Sequence, residues 1–181
     1  MNINKLNFEI KGTGFINKGS YLMMLSIIEK LKENFADCNI GLSIMRGSYN
    51  ERKQLGLGHI LRYESKKFPF INNLFGLGLF IPQIVRKYFN LLLDSDIDVI
   101  LDSSGFQYSS QWGNKETELM AKMTNLWHRQ GKKIILMPQA FGPFNNLQIK
   151  SDMIQIFNNS DLIFIRDDVS MKYVKEIIKI S

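Results

Sequence analysis

The chain has 181 residues, 45% of them hydrophobic and 22% charged, with a formal net charge of +6. That balance suits one globular domain with a real core and excludes an extended, charge-dominated chain. A single cysteine, Cys38, excludes an internal disulfide framework and points to a reducing, cytoplasmic setting.

Much of the positive excess falls between Arg46 and Lys67, in Arg46, Arg52, Lys53, Arg62, Lys66 and Lys67. Such a run serves either as a solvated face or as an attractor of anions. Tyr49 and Tyr63 lie near it, but no RNA-binding signature accompanies them, so nucleic acid is not an expected partner. The amino terminus lacks a continuous apolar core of signal-peptide length. The most apolar window, residues 74–85, holds two glycines and Pro82. It falls short of the ~20 residues a membrane-spanning helix needs. It reads as a buried or partner-facing segment, with a peripheral membrane contact beside Arg86 and Lys87 as the alternative.

In chain order, Leu6 to Ile10 is a short β-like run. Gly12 and Gly14 make a turn, and Leu22, Leu25, Ile28 and Leu31 then recur at helix spacing, with Asn17 or Ser20 as candidate cap. Asn39 to Met45 is a second strand candidate. Residues 46–79 read as irregular, and Ile81 to Leu93 as a helix with Pro82 in its first turn. Ile97 to Leu101 is a strong buried strand closed by Asp102 and the small loop Ser103-Ser104-Gly105. Lys115 to Gln130 is a helix with Leu119, Met123, Leu126 and Trp127 on one face and Gly131 as its stop. Ile134 to Met137 is a buried strand that Pro138 should close, followed by Gln139 and a Gly142-Pro143 break. Leu147 to Phe157 is a helix, Leu162 to Ile165 a buried strand, and residues 169–178 a last amphipathic helix.

Short apolar strands alternating with amphipathic helices imply an α/β fold: a Rossmann-like parallel sheet with helices on both faces, in one domain over residues 1–181. Four loops, 11–20, 102–111, 138–145 and 166–170, each follow a strand and are expected at one edge of that sheet. At least three run into helix N-termini, where backbone N–H groups and the helix dipole favour an anion. The spacing of Gly12, Gly14 and Gly19 is not that of a dinucleotide fingerprint. Arg166 stands where a strand gives way to a helix. It can clamp a phosphate or carboxylate, or pair with Asp167 or Asp168. Asp167 reads first as a helix N-cap, and Asp102 either orients a substrate hydroxyl or closes a turn. His59 and His128 are far apart in sequence and form no triad order, and no cysteine–histidine metal spacing exists.

The stretches GTGFINKGSYLMMLSIIEKL, DVILDSSGFQYSSQWG, KKIILMPQAFGPF and SDLIFIRDDVSMKYV, in this order, resemble the polysaccharide pyruvyl transferase family. The resemblance covers most of the chain outside residues 46–90. It implies one half of a glycosyltransferase-B-like arrangement and the transfer of a pyruvyl group from phosphoenolpyruvate to a sugar of a surface polysaccharide or exopolysaccharide, as a ketal. It implies no cofactor; phosphoenolpyruvate is the donor and a saccharide the acceptor. Carried onto this sequence, it places Arg166 on the donor anion as the catalytic cation. Substrate contacts fall to Asn17, Gly19, Ser20, Asp102, Ser103, Ser104, Gly105, Gln139, Gly142 and Asp167.

This chain differs from related sequences in three ways. Ser20 and Tyr21 stand where relatives often offer an acid, and Ser104-Gly105 where many have paired glycines. Relatives continue into a second domain that carries their catalytic histidine, which neither His59 nor His128 matches. The chain is therefore expected to be inactive alone and to need a second domain or partner chain. Half of a nucleotide-sugar glycosyltransferase and a non-catalytic assembly module are the alternatives.

Overall fold

The computed structural model describes residues 5–62 and 81–178. The described residues carry a seven-stranded sheet of order β4-β3-β2-β1-β5-β6-β7. Its strands are β1 (Leu6–Lys11), β2 (Cys38–Ser43), β3 (Gly58–Leu61), β4 (Leu91–Leu93), β5 (Val99–Asp102), β6 (Lys133–Gln139) and β7 (Leu162–Ile165). Each strand after β1 is reached through one or more helical segments, so neighbours pair in parallel, as in β1 with β2, β2 with β3, β3 with β4 and β6 with β7. The fold is the expected Rossmann-like α/β class. No helix among the described residues is long and apolar enough to cross a membrane.

The chain divides into two compact units, Met1–Ile100 and Leu101–Ser181. In the first, helix α1 (Lys18–Asn34) starts at Asn17, whose side chain accepts the Ser20 N–H. It buries Met24, Ile27, Ile28 and Leu31, while Leu22, expected on that face, is exposed. Two short elements replace much of the predicted irregular stretch. Helix α2 (Tyr49–Gln54) is nucleated by a reciprocal capping box between Ser48 and Glu51. Strand β3 follows, its apolar run masked in the sequence by His59. The predicted helix 81–93 is also corrected. Pro82 is the N-cap of a six-residue helix α3 (Gln83–Tyr88), Asn90 at φ 50° ends helical winding, and Leu91–Leu93 forms a strand beside β3. Most of the apolar window 74–85 lies outside the described residues.

The basic run is not a solvated face at its two best-placed arginines. Arg62 is buried, donates to Glu9 Oε1 and Oε2 at 2.5 Å each, and reaches Asp94 Oδ1 through Nε at 2.7 Å. Arg52 is buried as well, and its Nη1 donates to the carbonyls of Arg46 and Gly47 at 2.8 and 2.7 Å.

In the second unit, helix α4 (Lys115–Arg129) buries Thr117, Met120, Ala121, Thr124 and Trp127. Its chain reverses at Gly131, φ 75°. Leu126, expected on the buried face, is exposed. Strand β6 runs through Pro138 to Gln139. A register shift between Leu136 and Gln139 accommodates the proline, which lacks a donor for the ladder. Helix α5 (Leu147–Asn158) is capped by Asn146 and buries Ile149, Met153, Ile156 and Phe157. Strand β7 was expected to be buried. It instead closes one edge of the sheet, with Leu162 and Phe164 exposed. Helix α6 (Asp168–Ile177) ends the described chain.

Candidate functional site

The second unit ties three strand-end loops together. The Ala140 N–H donates to the Gly105 carbonyl at 2.8 Å, and the Gly142 N–H to the Tyr108 carbonyl at 3.0 Å. The Arg166 N–H donates to the Gln139 carbonyl at 3.1 Å, and the Phe141 N–H to Ser170 Oγ at 2.9 Å. Loops 102–111, 138–145 and 166–170 therefore form one connected surface, with the turn at 139–143 as its hub.

Asp102 anchors that surface from below. It is fully buried and accepts hydrogen bonds from Tyr108 Oη and Ser104 Oγ, both at 2.5 Å. Of the two expectations for Asp102, closing a turn is the one these two bonds describe. The Tyr108 ring stacks parallel to Phe141 at 6.4 Å, which links the carboxylate to the post-β6 turn. Tyr108 was missed in the sequence because a tyrosine six residues after a strand carries no periodic signal. Gly105 and Gly142 lie in the left-handed region at φ 74° and 78°. A Cβ on Gly142 would lie 2.6 Å from the Tyr173 ring.

Two further candidates are interior groups. Ser103 Oγ and both amide atoms of Gln139 are buried without a hydrogen-bond partner among the described residues. Arg166 and Asp167 face solvent. Asp167 is the N-cap of α6, its carboxylate accepting the Ser170 N–H at 2.8 Å. That bond, then the Ser170 hydroxyl and the Arg166 cation, holds Asp167 below the usual carboxylate range. Arg166 keeps its side chain 55% exposed, with Nε 3.7 Å from Asp167 Oδ2. The pair is long and wet, so it leaves the cation available to a further anion.

Asn17, Gly19 and Ser20 belong to the first unit. Asn17 Oδ1 accepts the Ser20 N–H at 3.0 Å, and Ser20 Oγ accepts the Gly14 N–H at 3.2 Å. Asn17 Oδ1 is thus engaged in starting α1, and Ser20 Oγ in holding the loop before it. Gly19 lies 3.4 Å, by its notional Cβ, from Asn17 Oδ1.

His59 is buried in β3, its Nδ1 accepting from Arg52 Nε at 2.9 Å and its ring 4.5 Å from that of Tyr49. Burial first, and the Arg52 charge second, push its pKa below the ordinary value. A proton on Nδ1 would abolish the bond, so the folded state holds the neutral ring. The unfolded histidine takes up a proton near pH 6.5. Stability from this site is therefore present above that pH and is lost as the pH falls from there toward the lower, folded pKa. Urea unfolding at pH 7.5 and 5.5 should show the loss, and His59→Gln should flatten the difference. Equal pH slopes for both proteins would refute the assignment.

Among the described residues, no group of three or more His, Cys, Asp or Glu could hold a metal ion. A Rossmann-like parallel sheet whose strand-end loops carry a solvent-facing arginine beside a helix N-terminus defines the class as an α/β protein. A family model described as polysaccharide pyruvyl transferase matches residues 17–181, and the chain belongs to that family. It is a family of transferases, with a saccharide as acceptor. No curated protein matches the chain.

Proposed function

We propose that this chain takes part in pyruvyl transfer from phosphoenolpyruvate to a sugar of a surface polysaccharide, and that Arg166 receives the donor. The observation carrying this is the exposed guanidinium at the end of β7, beside the N-terminus of α6 and 3.7 Å from a carboxylate already engaged as a cap. A planar fork of donors suits the donor's phosphate or carboxylate, and the first turn of the helix adds favourable dipole.

The chemistry needs one proton on the donor's methylene carbon and two sugar hydroxyls on its central carbon. The first hydroxyl adds as the methylene is protonated. The second displaces phosphate, breaking the bond from the central carbon to the phosphate oxygen, and yields the ketal. The two hydroxyl protons balance the one gained by carbon and the one carried off by phosphate. Arg166 contributes by offsetting charge on the departing phosphate.

Thermal denaturation tests the donor site. Phosphoenolpyruvate at a hundredfold excess over Kd should add about 2.7 kcal/mol of stability. Arg166→Ala should abolish that gain while changing the unliganded protein by less than about 0.5 kcal/mol. An unchanged gain in the variant would refute the role of Arg166. Stabilisation by UDP-glucose or GDP-mannose but not by phosphoenolpyruvate would replace the reading with a nucleotide-sugar transferase.

A further inference from the structure

The loop after β5 carries Trp112, a residue 59% exposed. It is not a loose side chain. Phe106 meets it edge-on, with ring centroids 6.1 Å apart and planes at 77°. The 3₁₀ turn Ser110–Trp112 that bears it is bonded at several points. Ser109 Oγ accepts the Gln111 N–H at 3.2 Å, and the Ser109 carbonyl the Trp112 N–H at 3.1 Å. The Ser110 N–H donates to the Pro143 carbonyl at 2.9 Å, and Ser110 Oγ accepts the Asn145 N–H at 2.7 Å. An exposed indole held this firmly is a preorganised platform with an open apolar face.

The chemistry around it is neutral. Residues 103–114 and 134–149 contain no Asp, Glu, Lys, Arg or His, in a chain that is 22% charged. What they offer instead are hydroxyls and carboxamides. The Gln107 amide is steadied by Glu116 at 3.3 Å, Asn146 bonds Asn114 at 3.0 Å, and Gln111 is exposed. Carboxamides both donate and accept, which matches a ligand whose hydroxyls do the same. These two stretches themselves supply no charge, so their contribution to a ligand is apolar contact and neutral hydrogen bonding.

We infer that Trp112 and Phe106 form the platform on which a neutral pyranose ring of the acceptor lies, its C–H face on the indole and its hydroxyls toward the Gln107 and Gln111 amides. This rests on the saccharide-acceptor reading of the family and assigns the acceptor a place separate from the Arg166 cation. Both loops meet at the 139–145 turn, which also anchors the Arg166 backbone through Gln139.

Saturation-transfer NMR with methyl β-D-galactopyranoside, methyl β-D-glucopyranoside and methyl α-D-mannopyranoside tests it on the full chain. At least one glycoside should bind, with transfer strongest to one face of ring C–H protons. Trp112→Ala should weaken that binding at least about tenfold, equivalent to about 1.4 kcal/mol. Trp112→Phe should retain it within about threefold, since an aromatic face remains. The phosphoenolpyruvate-induced thermal shift should be the same in all three proteins. Glycoside binding of unchanged strength in Trp112→Ala, or no binding of any of the three to the native chain, overturns the platform and leaves the donor site standing. Glycoside binding with no phosphoenolpyruvate shift supports the platform and overturns the donor site instead.

Discussion

Glu9→Gln should destabilise the protein by about 3–5 kcal/mol, the largest effect expected from a single polar substitution in this fold. Glu9 and Arg62 are both buried, and their two 2.5 Å bonds join the middle of β1 to the residue just past β3. Removing the carboxylate charge leaves a buried guanidinium paired with Asp94, which is itself partly exposed. Bulk water replaces little of the attraction lost, because the Arg62 and Glu9 side chains are only 6% and 1% exposed. At about 2–4 °C per kcal/mol for a chain of this size, the melting midpoint should drop by at least about 6 °C. The double variant Glu9→Leu/Arg62→Met removes both charges and should recover most of the loss. A drop under about 1 kcal/mol for Glu9→Gln would mean that water already solvates this pair.

Gly142→Ala should cost about 2–4 kcal/mol in urea unfolding. Two terms add. The backbone lies at φ 78°, where a side chain is strained by about 1 kcal/mol. The added carbon would also lie 2.6 Å from the Tyr173 Cγ and Cδ2, an overpacking of roughly 1–3 kcal/mol. Gly113→Ala separates them, because Gly113 has a similar φ of 77° and no atom within 4 Å of its notional Cβ. It should show a conformational cost without a clash, that of its own backbone at φ 77°, ψ −177°. Equal losses for the two variants would mean that Tyr173 yields without cost. Since Gly142 belongs to the turn that joins Tyr108, Gln139 and Ser170, its substitution should also weaken phosphoenolpyruvate binding, whereas Gly113→Ala should not.

The α/β class was legible because periodicity survives translation into structure. Ile134 and Leu136 are buried in β6, Ile100 and Leu101 in β5, and Ile28 and Leu31 on α1. Caps were legible for the same local reason: Asn17 and Asp167 each satisfy an N–H three residues on. The short elements were not. Residues 58–61 carry only two aliphatic side chains, and Leu91–Leu93 is three residues long, so neither contains a full period to detect. Their strand character comes from a neighbour offering a free backbone edge. Pro138 misled for the converse reason, since a bulge lets a strand carry a residue that cannot donate.

Of the candidate site, the sequence alone determined the residue types at each strand end and the family to which they belong, because both are properties of local order along the chain. Only the tertiary structure decided which of those residues meet solvent. It turned Asp102 inward onto Tyr108 and Ser104, buried Gln139 and Ser103, and left Arg166 and Trp112 outside. Burial and pairing are set by contacts between segments far apart in sequence, such as Phe141 with Ser170 or Glu9 with Arg62. No reading of neighbouring residues contains them.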